Sequence, residues 1–129
     1  NMSTLKFPRN TQSIIIPVRI KGPQKERYAR MILDTGATYT MICPEILIET
    51  GYDLTQPKRK EAITTASSIE YTPFYVVLQI EAVGKIMDNI EVASHTLPPR
   101  VPADGLLGLN FLRKYKFIMH VNEGYLELI

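Results

Sequence analysis

Hydrophobic residues recur at every second position over much of the chain, the period of half-buried β-strands. Ile14, Ile16, Val18 and Ile20 alternate with Ile15, Pro17, Arg19 and Lys21 and predict a first strand. Pro17 has no N–H to give to a ladder, so this strand belongs at a sheet edge or is locally irregular. Gly22-Pro23 signals a turn, and residues 27–33 read as the returning strand of a hairpin. Its basic tip (Lys21, Lys25 and Arg27) is expected in solvent. Residues 74–81 and 86–93 predict another pair of strands around Gly84. Residues 117–121 and 125–129 predict a closing hairpin around Asn122-Glu123-Gly124.

Two segments break the period. In residues 44–50 a proline opens the first turn, Ile46 and Leu47 supply apolar contacts and Gly51 provides a stop, which predicts a short helix. Residues 109–115 predict one or two further helical turns. Lys58-Arg59-Lys60 reads as a charged loop, and the proline-rich residues 97–102 as an extended connection. The expected architecture is all-β with one or two short helices, in a single domain over residues 1–129.

Composition narrows the function classes. At 129 residues and 14.7 kDa, with 45% hydrophobic and 22% charged residues, the chain is an ordinary globular domain. Fifteen Lys and Arg against thirteen Asp and Glu leave a formal charge of +2, so charge gives no reason to expect nucleic acid or an anionic membrane as partner. Cys43 is the only cysteine, which excludes an intramolecular disulfide and any multi-thiolate metal site, and it reads as a small buried hydrophobe. His95 and His120 have no metal-ligand spacing and are expected to be structural or exposed. Neither a phosphate-binding glycine loop nor a G-x-S-x-G elbow occurs. No metal or cofactor is expected. No apolar run approaches the ~20 residues needed to span a bilayer, and residues 1–10 have no signal-peptide core. Because the chain opens on Asn1, it is expected to be either a cytoplasmic protein or a soluble domain excised from a longer, membrane-anchored one.

The chemistry is carried by a junction. The apolar run Met31-Ile32-Leu33 leads straight into Asp34-Thr35-Gly36-Ala37-Thr38, placing a carboxylate between a strand and a glycine turn. A bare D-T-G is a common turn sequence, but the preceding strand and the small Ala37 make this one more specific. A second element, Asp104-Gly105-Leu106-Leu107-Gly108-Leu109-Asn110-Phe111-Leu112, has two bulky apolar residues, a glycine and then the start of a helix. The two in this order, in an all-β chain, are far more specific than either alone.

On these motifs the chain resembles the retropepsin-like aspartic proteases, the family of retroviral proteases and their cellular and bacterial relatives. The resemblance spans roughly residues 14–129, with sharp matches at 32–38 and 106–110. It implies one closed, barrel-like acid-protease lobe that works as a C2 homodimer. It implies that Asp34 is the catalytic carboxylate, that Thr35 forms a hydrogen-bonded grip across the two-fold axis, and that Gly36 and Ala37 complete the active-site loop. Leu106-Leu107-Gly108 is expected to cross behind that loop, with Gly108 and Asn110 supporting it. The implied substrate is a peptide or protein held in a groove lined by Ile32, Met41, Leu106 and Leu107. A flap over residues 63–69 is expected to supply Ala66, Ser67, Ser68 and Ile69.

Only one of the four aspartates, Asp34, sits in D-[ST]-G, so a carboxylate pair requires a second copy of the chain. Two such groups about 3 Å apart share one proton: the ionised member activates water and the protonated member binds the carbonyl oxygen. The ending Tyr125-Leu126-Glu127-Leu128-Ile129 is a candidate interface strand, with an ordinary closing strand as the alternative. Three departures from the retroviral pattern stand out. Thr38 and Leu109 replace an acidic residue and an arginine that pair near the interface, and the flap has no glycine. They keep a second expectation open, a peptide-binding or dimerisation module with little turnover. A third is a domain that processes chiefly its own precursor.

Overall fold

The computed structural model describes residues 3–64 and 68–129. Its elements run β1 (Thr4–Lys6), β2 (Ile15–Lys21), β3 (Glu26–Leu33), β4 (Met41–Ile42), α1 (Pro44–Thr50), β5 (Arg59–Thr64), β6 (Ile69–Ala82), β7 (Lys85–Ser94), β8 (Gly105–Leu107), α2 (Leu109–Leu112), β9 (Phe117–His120) and β10 (Tyr125–Leu128). The strands pair in the order β2-β3-β8-β4-β7-β6-β5, and β2 also pairs with β6. That extra pairing closes six strands into a barrel and leaves β5 outside it. A separate sheet has the order β1-β10-β9. Among the described residues no helix is long and apolar enough to cross a membrane.

Alternation explains the barrel. Ile16, Val18 and Ile20 on β2 and Ala29 and Met31 on β3 point inward and are essentially solvent-free; on β6 Val77 and Ile80 are both buried although three positions apart, because the pairing with β7 skips Leu78. The partners of Pro17 account for its tolerance: β2 pairs with β3 along its whole length, but with β6 only from Val18 to Lys21. Pro17 thus lies on a half-strand whose second edge is open, where a missing donor costs no ladder bond. Helix α1 opens on Pro44 and ends at Gly51, whose left-handed backbone (φ 109°) suits a residue without a side chain. Ile46 and Leu47 on α1 and Phe111 and Leu112 on α2 plug the barrel, while Leu126 and Leu128 seal it from the second sheet.

Two expectations change and one is sharpened. The basic hairpin tip keeps Lys21 and Lys25 exposed as expected, while its backbone docks on α1. The backbone amides of Gln24 and Lys25 donate to the Thr50 carbonyl, and Lys25 and Arg27 both pair with Glu49 on α1. Gly22 permits this approach, since a Cβ there would lie 2.1 Å from the Thr50 oxygen. Arg59 and Lys60 begin strand β5 instead of forming a loop, with Arg59 opposite Phe74 and Lys60 opposite Pro73 on β6. The closing strand β10 is central in its sheet, bonded to β1 on one side and β9 on the other. Both its edges are occupied within the chain, so it has none to offer a partner.

Candidate active site

Strand β3 ends by delivering Asp34 beside the barrel. The Asp34 N–H donates to the Leu107 carbonyl at 3.0 Å, tying the start of the D-T-G turn to β8. The turn then closes on itself: the Ala37 N–H reaches the Asp34 carbonyl at 3.2 Å, and the Gly36 N–H donates to Asp34 Oδ1 at 2.9 Å. A Cβ on Gly36 would press to 3.2 Å from that same oxygen. The half-buried carboxylate is therefore oriented through Oδ1. Thr35 is exposed beside it.

Behind the turn, β8 lies parallel to β3 and antiparallel to β4, so residues 104–108 thread between the segments on either side of Asp34. The crossing is so close that side chains do not fit. A Cβ at Gly105 would sit 2.1 Å from the Met41 oxygen, and one at Gly108 would sit 2.7 to 2.8 Å from backbone atoms of Tyr39 and Ala37. Leu109 N–H donates to the Ala37 carbonyl and Asn110 N–H to the Thr38 carbonyl. Asn110 locks the arrangement. Its Oδ1 accepts from both the N–H and the hydroxyl of fully buried Thr40, each at 2.8 Å, and its Nδ2 donates to the Glu91 carbonyl at 2.7 Å. The Thr40 hydroxyl oxygen in turn accepts from Gly108 N–H at 3.1 Å. These neutral bonds join the two loops at Thr38 and Leu109, where the retroviral pattern has its ion pair.

The groove residues fall into three groups. Ile32, Leu106 and Met41 are cross-strand neighbours, all half-buried on one face of the sheet. Their row continues through Ala93 on β7 to Phe74 on β6 and Arg59 on β5. Leu107 departs from expectation: it points into the barrel, has no exposed surface and belongs to the core, because consecutive strand residues face opposite ways. At the hairpin end β5 and β6 pair up to Thr64 and Ile69. Ser68 and Ile69 are exposed, whereas Ala66 and Ser67 lie outside the described residues.

A cleft of about 500 Å³ opens beside the loop, lined by Gly36, Ala37, Thr38, Tyr39, Met41, Glu61, Phe74, Ala93 and Leu106. Tyr39, Glu61, Phe74 and Ala93 were not expected from sequence. The Tyr39 and Phe74 rings meet edge to face at 4.9 Å, and the Arg59 guanidinium lies 4.0 Å from the centre of Phe74. Arg59 also bonds to Glu61 at 2.6 Å and Glu91 at 2.8 Å. Hydrogen bonding to Arg59 holds the Glu91 carboxyl below its ordinary range, outweighing partial burial. Cys43 is half-buried against the core, and that burial pushes its thiol up. His95 is exposed and contacts the Thr96 carbonyl, while His120 pairs with Glu127 and stacks on Tyr125. Among the described residues, no three His, Cys, Asp or Glu side chains are grouped to hold a metal ion.

Comparisons with known proteins add two findings. The family model described as gag-polyprotein putative aspartyl protease matches residues 16–114. The fold is similar to the crystal structure of a retropepsin-like aspartic protease from Rickettsia conorii, with a TM-score of 0.72 and 21% sequence identity, covering 97% of this chain and 87% of that one. A search of curated proteins finds no match.

Proposed function

The chain belongs to the gag-polyprotein aspartyl protease family, and from that premise we propose that it is an aspartic endopeptidase whose active site forms between two copies. The observation that carries the reading is the half-buried Asp34, fixed at the end of β3 and oriented by its own turn beside an apolar cleft. Each chain supplies one such carboxylate, and a C2 axis beside Asp34 sets it against its own image.

Two carboxylates at that distance do not both ionise cheaply, so the pair holds one proton. The ionised member takes a proton from a water as that water attacks the scissile carbonyl. The protonated member donates to the carbonyl oxygen and stabilises the developing charge. Protonation of the leaving nitrogen then breaks the C–N bond and regenerates the shared-proton state. Thr35 is exposed at the turn, and in this reading it meets its counterpart across the axis. Gly36 offers its carbonyl to an extended peptide, and Ile32, Met41 and Leu106 form the groove floor. The β5–β6 hairpin end, with Ser68 and Ile69, is the covering flap.

The test is a peptide-library digest of wild type and Asp34→Asn, with sedimentation of both. Wild type is expected to cleave and to dimerise; Asp34→Asn is expected to dimerise with cleavage reduced at least about 10³-fold, as removal of a catalytic group implies. Equal cleavage by the two proteins overturns the assignment. Peptide binding without Asp34-dependent turnover at any pH from about 3 to 7 instead makes the chain a binding module.

A further inference from the structure

We propose that Glu70 and His95 are positioning residues, a latch that holds the β5–β6 arm over the cleft when the His95 ring is protonated. The proposal rests on the endopeptidase reading of the site and adds to it a control by pH.

Beyond Phe74 the β5–β6 hairpin leaves the barrel. Pairing of β6 with β7 begins at Phe74, so residues 69–73 are bonded to β5 alone. Phe74 lines the cleft, and Thr72 and Glu70 follow it on the same side of β6, since alternate strand residues share a face. On the barrel side Ala93 lines the cleft, and His95 stands two positions past it. There His95 Nε2 lies 3.9 Å from Glu70 Oε2. Among the described residues this is the one ion pair between the arm beyond Phe74 and the barrel.

The ring is set for a switch. Its Nδ1 lies 2.8 Å from the Thr96 carbonyl oxygen, which can only accept, so Nδ1 carries the hydrogen. Nε2 is the nitrogen left to take up a proton, and it is the one that faces Glu70. A neutral ring turns a lone pair toward the carboxylate, whereas a protonated ring turns an N–H and a positive charge toward it. The barrel holds the other side of the residue, as His95 N–H donates to the Ile42 carbonyl at 3.4 Å. The neighbouring charges are engaged elsewhere. Glu61 on β5 is held by Arg59, and Asp104 accepts from the Arg30 N–H. Strand β4 brings no titratable side chain, and burial pushes the thiol of Cys43, which follows it, up. Arg100, the one cation of residues 96–104, is exposed. A carboxyl is ionised above about pH 4.3 and an imidazole charged below about 6.5. The latch is therefore closed between these values and released above them.

The experiment measures peptide affinity on Asp34→Asn, which removes the titration of the catalytic pair, from pH 8 to 5. Affinity is expected to rise about two- to fivefold on acidification, the worth of one exposed ion pair, and to stay flat when Glu70→Gln or His95→Gln is added. His95→Lys, a fixed cation, is expected to keep the pH 5 affinity at pH 8. In chains that retain Asp34, the same three variants are expected to change KM and leave kcat as it was. An acid response that survives Glu70→Gln, or no acid response in Asp34→Asn, overturns the latch. If no peptide is cleaved or bound, the endopeptidase reading fails by itself. An NMR titration of the His95 ring needs no substrate and decides the pair in either case. Glu70→Gln is expected to lower the ring's proton affinity about two- to fivefold, and no change overturns the proposal.

Discussion

Leu106 and Leu107 are neighbours in sequence and point to opposite sides of β8. One lies half-buried in the cleft; the other is sealed in the barrel. Truncating them should separate stability from recognition. Leu107→Ala is expected to lose about 2–5 kcal/mol of unfolding free energy, as for other fully buried leucines, and Leu106→Ala roughly 1 kcal/mol or less because part of its surface is already wet. Urea unfolding monitored by circular dichroism measures both, and equal losses would contradict the strand's alternation. Residues with unusual neighbours were legible in advance: Asp34 is the one aspartate between an apolar strand and a glycine turn, and Gly108 marks the crossing. The leucine pair was less legible, since an apolar doublet does not show which member faces inward. Tyr39 and Phe74 escaped notice because their meeting depends on pairing between distant strands.

Among the elements, β5 shows how a charge run misleads. Lys58-Arg59-Lys60 looks like a solvated loop until its partners are known. Arg59 reaches across the Phe74 ring on β6 to Glu91 on β7, pinning a strand that lies outside the barrel. Because Arg59 keeps the folded Glu91 carboxyl below the ordinary glutamate value, the unfolded chain binds that proton at higher pH than the folded one. The contribution is therefore complete above the unfolded value of about 4.3 and is lost as pH falls through the lower folded value. Glu91→Gln is expected to lower the Tm at neutral pH and to reduce the further drop on acidification, with thermal melts from about pH 6 to 3 as the check. The long strands and α1 were evident from period and caps. Strands β1 and β4 were not, because they have three and two residues and owe their existence to β10 on one side and to β7 and β8 on the other.

At the level of the whole molecule, the closed barrel was expected from the family resemblance and not from the strand pattern. Closure depends on the β2–β6 pairing, which joins residues some sixty positions apart and leaves no local mark. The proposed dimer makes activity second order in chain at low concentration, so specific activity should fall on dilution. Mixing supplies the sharper measurement. At concentrations high enough that specific activity no longer rises and all chains are paired, one equivalent of Asp34→Asn added to wild type, without denaturant, should cut the activity to about half, since random pairing leaves half the wild-type chains in mixed dimers. An unchanged rate would mean that the chains act alone or do not exchange. Strand β10 gives this its wider consequence. With both edges satisfied at home, it lets a chain finish its sheet before meeting a partner, so folding and activation become separate events. Under the proposed pairing, a newly made chain would be folded before it is active, and a defective copy would inhibit simply by pairing.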